Sequence, residues 1–394
     1  MVQTVNNRSR DGNRAFPSEI LSAPNDMKQE YYKNYVVEHP FLMNAVDETI
    51  DFISAHVPER LVFVCGPAGV GKNEFVKLFK KRVMELSDTK LAENPGCIPI
   101  ACVEAKAPDK GSFNFPILWE MVLEELKEPM LGNKISHELT EFYDSSGYKR
   151  IQSKPRKADF FGILQRTLIY RDASALLINE AHHMLNIVGG NRINMAVDIL
   201  KSLSNGSQTP IILVGTYELL TFLACLNTSK TDQLNRRTRI VNFPRYGIST
   251  EDIIIFGKVA RKLLQNMPLE KTSEYLADEE WKYLYTYSLG CIGNLKVWFM
   301  DAYYQALKEG SKTLTKKHLE MTKMSAHLLE GMAEEIAAGE KEIVTIFSDR
   351  NFEIKLESNN PEKESQSQTD EAVLKVKTKA LKPFERLPKR DAVG

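Results

Sequence analysis

Residues 61–73 read LVFVCGPAGVGKN, and this stretch decides how the rest of the chain is interpreted. The run 61–65 is apolar and partly β-branched, which is typical of a strand buried on both faces. An amphipathic stretch follows Lys72, so the glycines lie between a strand and a helix. In that context the pattern G-x-x-x-x-G-K-[ST] wraps backbone N–H groups and a helix N-terminus around a polyphosphate. The alternative is a plain glycine turn, and the sequence has Asn73 where the pattern expects a hydroxyl.

The predicted phosphate-binding residues are contiguous. The glycines let the backbone pass close to the phosphates, and the lysine would reach the β and γ oxygens. We therefore predict a nucleotide site made by Gly66, Pro67, Ala68, Gly69, Val70, Gly71, Lys72, Asn73 and Glu74.

The composition is that of a globular protein. The chain has 394 residues, of which 43% are hydrophobic and 26% charged, enough for two or three domains. Because 52 basic residues balance 52 acidic ones, any nucleic-acid affinity must come from a local patch. The five cysteines form no C-x-x-C pair. Neither a bilayer-spanning apolar run nor a signal peptide's apolar segment is present, so we expect a cytoplasmic protein with no membrane partner.

Strand and helix signals alternate in the first part of the chain. Four further apolar runs follow the first, at 97–104, 174–179, 210–215 and 238–243. This order predicts an α/β fold class with a five-stranded parallel sheet and helices on both faces. After Tyr246 the pattern is amphipathic and helical, with Ser249 and Thr250 as cap-like residues at its start. These helices are expected at 250–266, 278–289, 294–309 and 315–338.

The domain boundaries follow from these changes of pattern. We predict a flexible N-terminal arm at 1–30, a nucleotide-binding domain at 31–247 and a small helical lid domain at 248–340. The segment 341–394 is expected to be a mostly disordered tail, because from about Asp349 it is polar and loses periodicity.

Hydrolysis of a bound triphosphate would need further groups. Glu180 leaves a buried run directly after Asn179 and is the candidate general base. Thr216 follows the next strand, at the carboxyl edge where ligands of open α/β sheets bind. A helix start is the alternative reading of the Glu180 segment. We expect His182 and His183 to pack or form hydrogen bonds there, because no third metal ligand is evident nearby.

The order of these motifs resembles the AAA+ ATPases, and within them the transposition regulators of the TnsC/TniB/MuB group. The similarity covers about 31–330 and is carried by YVVEHPFL, LLINEAHH, LVGTYELL, QLNRRTRIVNFPRY and SLGCIGNLKVWFMDAYYQAL. The resemblance implies a P-loop AAA+ fold in which 66–73 is the Walker A motif and Asn179 with Glu180 the Walker B motif.

Further roles are implied by the same resemblance. Thr216 would be sensor 1, Arg237 an arginine finger acting on a neighbouring subunit, and Lys296 sensor 2. Tyr35 and Val36 would line the adenine pocket. Together with Lys72 and Glu180, the residues Thr216 and Arg237 form the implied catalytic set.

The resemblance also implies cofactors and partners. Members of this group bind ATP and Mg²⁺, form rings or helical filaments on duplex DNA, and recruit a transposase to a site chosen by another protein, including a CRISPR-linked one. The C-terminal PFERLPKRDAVG is similar to tails that engage transposases. A bacterial, nucleoid-associated location in the cytoplasm follows.

Two departures from the family pattern concern Mg²⁺. Asn73 stands where a hydroxyl is expected and Asn179 where Asp is expected, so the implied metal residues lack one negative charge and a good hard ligand. We therefore predict weak Mg²⁺ binding and slow hydrolysis. A nucleotide-dependent scaffold that hardly hydrolyses ATP remains an alternative function, as does a replication initiator or clamp-loader-like ATPase.

Contacts to DNA would come from local basic patches and would be insensitive to sequence, because most would be made to phosphates. The alternative for each lysine is an ordinary solvated loop. The candidate DNA-binding residues are Lys106, Lys110, Lys149, Arg150, Lys154, Arg156 and Lys157.

Overall fold

A five-stranded parallel sheet forms the centre of the molecule, as predicted. The computed structural model describes residues 15–54, 61–108, 113–131, 135–143, 149–157, 160–185, 191–222 and 238–349. The strands are β1 (Leu61–Cys65), β2 (Ile100–Glu104), β5 (Ala175–Asn179), β6 (Ile211–Gly215) and β7 (Thr238–Asn242). Their order across the sheet is β2-β5-β6-β1-β7, and each neighbouring pair is parallel.

Helices cover both faces of this sheet because successive strand residues point to opposite sides. Leu61 and Phe63 lie in one core cluster, while Val62 and Val64 lie in another. The first cluster is closed by helices α6 (Phe115–Glu125), α7 (Phe160–Tyr170) and α8 (Asn191–Ser207). The second is closed by α3 (Pro40–Ser54) and α4 (Lys72–Leu86), which is followed by the short α5 (Asp88–Glu93).

An antiparallel hairpin that the sequence did not predict joins β3 (Ile135–Tyr143) to β4 (Lys149–Lys157). Its register pairs Tyr143 with Lys149 and Ile135 with Lys157. The basic residues expected in a loop between 149 and 157 therefore lie on a strand.

The N-terminal segment differs from the expected flexible arm. It forms helices α1 (Glu19–Ser22) and α2 (Asn25–Asn34), and Tyr32 is fully buried. Its ring packs edge-on against Tyr303, with 5.4 Å between the ring centroids. This contact fixes α2 against the helical region that follows the sheet. Residues 1–14 lie outside the described part of the chain.

The helical region after the sheet begins as predicted, with Ser249 capping its first helix by accepting from Asp252 N at 3.1 Å. The single helix expected at 315–338 is wrong, because extended backbone at Lys323 separates two helices. The second of these continues to Asp349, past the boundary expected at 340. The helices are α9 (Thr250–Gln265), α10 (Tyr275–Glu279), α11 (Trp281–Ser288), α12 (Ile292–Lys308), α13 (Lys316–Thr322) and α14 (Ala326–Asp349).

Helix α14 returns to the sheet domain. Ile343 is buried in the cluster that covers one sheet face, and Arg245 forms an ion pair with Glu340. Within the described ranges, no helix has both the length and the apolar character needed to span a bilayer. The predicted tail from residue 350 onward lies outside the described residues.

Candidate nucleotide site

The phosphate loop turns from β1 into α4 with the conformation that its glycines permit. Gly69 and Gly71 have φ values of 75° and 120°, in the left-handed region that favours glycine. Helix α4 begins at Lys72, so its first N–H groups, which have no partner within the helix, point into the loop. Residues 68–74 therefore line a cavity at the start of a helix, and their role in anion binding stays a prediction.

Lys72 is held inside this loop. Its Nζ donates to the carbonyl oxygens of Gly66 at 3.0 Å and Pro67 at 2.9 Å. Burial lowers the pKa of Lys72, and the nearby carboxylate of Glu180 opposes that shift. The loop thus keeps an amine next to the carboxyl edge of the sheet.

The two unusual asparagines meet at this edge. Asn179 ends β5 and Asn73 is the second residue of α4, and Asn179 Nδ2 donates to Asn73 Oδ1 at 3.0 Å. Asn179 is only 8% exposed, whereas Asn73 is exposed. The sequence predicted that both residues belong to one site, but it could not show that they bond to each other.

Glu180 and Thr216 lie at the ends of neighbouring strands. Glu180 has a φ of 51°, a conformation that costs about 1–3 kcal/mol for a residue other than glycine and often occurs at functional sites. Its Oε2 lies 3.3 Å from His182 Nδ1. Burial, helped by the neighbouring His183, lowers the pKa of His182, so this imidazole is neutral near pH 7. Thr216 Oγ1 is buried without a hydrogen-bond partner.

A cavity of about 740 Å³ joins these groups to the N-terminal segment and the helical region. Among the predicted site residues, its lining includes Tyr35, Val36, Ala68, Gly69, Val70, Gly71, Lys72, Asn73, Glu74, Glu180, Thr216 and Lys296. Gly66, Pro67 and Asn179 are not among the lining residues. His39 lies in the segment from Tyr35 to Pro40 that the resemblance placed at the adenine pocket. Sequence reasoning missed other lining residues, including Glu104, His182, Gly293 and Asn294.

The helical region contacts the phosphate loop directly. Asn294 N, near the start of α12, donates to the carbonyl of Gly69 at 2.8 Å. A Cβ on Gly293 would lie 2.4 Å from the same carbonyl oxygen. A glycine at 293 is therefore needed for this close approach of two backbones.

Lys296 lines the same cavity. Its Nζ donates to the carbonyl of Tyr35 and stands 5.0 Å from the centre of the Tyr32 ring. Burial lowers its pKa to about 8, although Glu74 opposes the shift. Tyr35 Oη also accepts from Asn266 Nδ2 at 2.8 Å. These contacts fasten the predicted adenine-pocket segment to the helical region, and the sensor 2 role stays a prediction.

Several predicted residues cannot be placed. Arg237 and Lys110 lie outside the described residues. Lys106 is exposed just after β2. The backbone of Lys149, Arg150, Lys154, Arg156 and Lys157 lies in β4, but their side chains are outside the described set.

The magnesium residues expected from the sequence fit the ion poorly. Mg²⁺ prefers oxygen ligands, carboxylates above all, in octahedral geometry. The side-chain oxygen of Asn73 is already engaged by Asn179, and neither amide carries a charge. The remaining oxygen, Asn179 Oδ1, is buried without a hydrogen-bond partner and could accept from water. A cation here would be held by phosphates and water rather than by protein carboxylates at these two positions.

A third possible metal ligand, which the sequence did not reveal, lies beside His182 and His183. Glu180 supplies the third group that seemed missing beside His182 and His183, because the ligand atoms of all three lie within 4.8 Å of one another. Glu180 thus faces both these imidazoles and the cavity.

Comparison with known proteins agrees with the fold. Residues 56–223 match the protein family described as AAA domain. The matched range includes the phosphate loop, Asn179, Glu180 and Thr216. No curated protein matches the sequence.

Solved structures with a similar arrangement have low identity to this chain. The ORC2 protein of Aeropyrum pernix, in ADPNP-ADP complexes, is 13% identical over 76% of this chain and 74% of its own, with a TM-score of 0.47. Drosophila ORC bound to DNA is 12% identical over 82% and 68%, with a TM-score of 0.43. The Walker-type ATPase of Pyrococcus abyssi is 14% identical over 78% and 75%, with a TM-score of 0.42. Identities and scores at this level establish no shared function.

Proposed function

We propose that this protein binds ATP in the cavity and hydrolyses it slowly. The observation that carries the proposal is the meeting of Lys72, Glu180 and Thr216 at the carboxyl edge of the sheet, in one cavity with Tyr35 and Val36. The phosphates would lie against the loop and the first turn of α4, and the base would lie near Tyr35.

Lys72, Glu180 and Thr216 would have different roles in this reaction. Lys72 and the loop amides bind phosphate oxygens, while Glu180 holds and activates a water. The unpartnered Thr216 hydroxyl can hold the same water. Mg²⁺, when bound, supplies charge neutralisation at the phosphates. Hydrolysis is slow because the two asparagines provide no carboxylate for that cation.

We further propose that ATP supports assembly of this protein on duplex DNA, where it recruits a transposase to a site chosen by a targeting protein or a CRISPR-linked complex. The motif resemblance over 31–330 supports this role. The basic sequence of β4 and the exposed Lys106 offer candidate DNA contacts. Head-to-tail contacts between copies would multiply these modest patches along the duplex.

A scaffold that uses ATP without turning it over is the second candidate. The neutral pair Asn73–Asn179 favours it, since the charge expected at the Walker B position is missing. The two candidates differ in turnover and agree in their need for bound nucleotide.

Electron microscopy and ATPase assays test these proposals together. We expect regular decoration of duplex DNA with ATP, slow turnover that DNA changes, and loss of decoration in Lys72→Ala. The variant Glu180→Gln should abolish turnover and keep decoration. Decoration that is equal without nucleotide contradicts an ATP-dependent assembly. Zero turnover with normal decoration favours the scaffold, and closed complexes that form only with replication proteins favour an initiator role.

A further inference from the structure

The bond between Asn73 and Asn179 replaces the hydroxyl and carboxylate expected at a magnesium-dependent phosphate site. An amide offers one oxygen acceptor and one NH₂ donor. The oxygen of Asn73 already accepts from Asn179 at 3.0 Å, and the NH₂ group of Asn73 is left to donate into the cavity. A donor in this position suits a phosphate oxygen and repels a cation.

The charges around the cavity also suit a phosphate without its cation. Its lining contains the cationic residues Lys33, Lys72, Lys77 and Lys296 and the acidic residues Glu74, Glu104 and Glu180. Of these, Glu74 is paired with Lys77 at 2.9 Å. Lys72 and Lys296 bond to backbone carbonyls and form no ion pair among the described residues. The protein itself therefore contributes to the cavity lining two lysines that have no carboxylate partner among the described residues.

The absence of a carboxylate at position 179 also affects whether bound phosphates need a cation. A carboxylate at position 179 would repel the phosphates, and a divalent cation between them would be needed to relieve that repulsion. A neutral amide at Asn179 removes the repulsion that a carboxylate at this position would add, and so it lessens the need for the cation.

We propose that this site binds a nucleoside triphosphate without a divalent cation, with the amide of Asn73 donating to a phosphate oxygen. This inference rests on the proposed nucleotide binding and extends it. The cation would then affect the hydrolysis rate alone, and the bound state would persist when free Mg²⁺ is low.

Titration of the full-length protein with a fluorescent ATP analogue, in Mg²⁺ and in excess EDTA, tests the inference. The dissociation constant of the unaltered protein should differ between the two conditions by less than about threefold. In the double variant Asn73→Ser, Asn179→Asp, EDTA should weaken binding by about tenfold or more. The single variant Asn179→Asp should show the same cation dependence, because it restores the repelling charge.

The possible outcomes distinguish this inference from the proposal of nucleotide binding on which it rests. Binding of the unaltered protein that weakens by about tenfold or more in EDTA overturns the inference and leaves ATP binding intact. A double variant that is equally independent of Mg²⁺ overturns the role given to the asparagine pair. Failure to bind in either condition overturns the proposed function as well. Thermal melting of each variant without nucleotide shows that the variant is folded. The shift in melting temperature that ATP causes in EDTA gives a second measure of binding.

Discussion

His39 should make the stability of the fold depend on pH. It is only 4% exposed, and its Nδ1 lies 2.9 Å from the hydroxyl of Tyr246. Its ring is also stacked 6.1 Å from that of Phe243. Burial lowers the pKa of His39 from 6.5 to about 4. Burial also raises the pKa of Tyr246, so that phenol stays protonated throughout the acidic range.

The sign and size of the effect follow from this shift. Between pH 6.5 and 4 the unfolded chain binds a proton at this position and the folded chain does not, so the free energy of unfolding falls as the pH falls. One pKa unit corresponds to about 1.4 kcal/mol, so the roughly 1.5 pH units from 6.5 to 5 should remove about 2 kcal/mol. Above the unfolded pKa of 6.5 the contribution is complete and constant.

Urea unfolding of the full-length protein without added nucleotide, followed by circular dichroism at pH 7.5 and pH 5, measures this loss. Burial also lowers the pKa of His182, which adds an effect of the same sign. The informative quantity is therefore the difference between the unaltered protein and His39→Gln. We expect the variant to lose about 2 kcal/mol less over this range. Tyr246→Phe is the matched control and should keep the full pH dependence, since burial is the main cause. Equal pH dependence in the unaltered protein and His39→Gln would refute the reasoning, as would an NMR titration midpoint near 6.5 for His39.

Three other changes test separate contacts. Glu180→Gln should abolish ATP turnover but leave ATP affinity within about threefold, and a lost affinity in a filter-binding assay contradicts its role on water. Arg245→Ala should lower the free energy of unfolding by about 1–3 kcal/mol in urea, because it breaks the part-buried bidentate pair with Glu340. Arg239→Ala, which breaks the exposed pair with Glu48, should lower it by less than about 1 kcal/mol. Equal losses in the two variants would contradict this distinction. Gly293→Ala should weaken ATP binding and lower the free energy of unfolding by about 1–3 kcal/mol, because its Cβ would meet the carbonyl of Gly69. Gly257→Ala is the control: its new Cβ meets nothing within 4 Å, so it should stabilise helix α9 by about 0.5–1 kcal/mol. A harmless Gly293→Ala would show that the close contact is not needed.

The sequence predicted the sheet because its strands are short apolar runs, and β1, β5 and β6 are fully buried between helices. The same runs placed Glu180 and Thr216 correctly, since the carboxyl ends of parallel strands meet at one edge. The hairpin was missed for the opposite reason. The strands 135–143 and 149–157 carry mixed polar and basic residues, without the alternation that identifies a half-buried strand.

Other parts of the site depend on contacts that sequence periodicity does not carry. Tyr32 directly follows the predicted arm, and its sequence neighbourhood does not reveal that it packs against Tyr303, far away in the chain. Asn294 lines the cavity because the start of α12 bonds to the phosphate loop, where Asn294 N donates to the carbonyl of Gly69. The bond between Asn73 and Asn179 likewise joins α4 to β5, and a pattern match shows only that each residue is unusual.

The phosphate loop is the point where these distant contacts converge. Lys72 donates to two carbonyls of its own loop, and Gly69 of that loop accepts from Asn294 on α12. A phosphate competes for Lys72 through charged oxygens, which form stronger hydrogen bonds than the neutral carbonyls that they replace. Because the bond from Asn294 ties the loop to α12, a loop that adjusts to a phosphate moves that helix too.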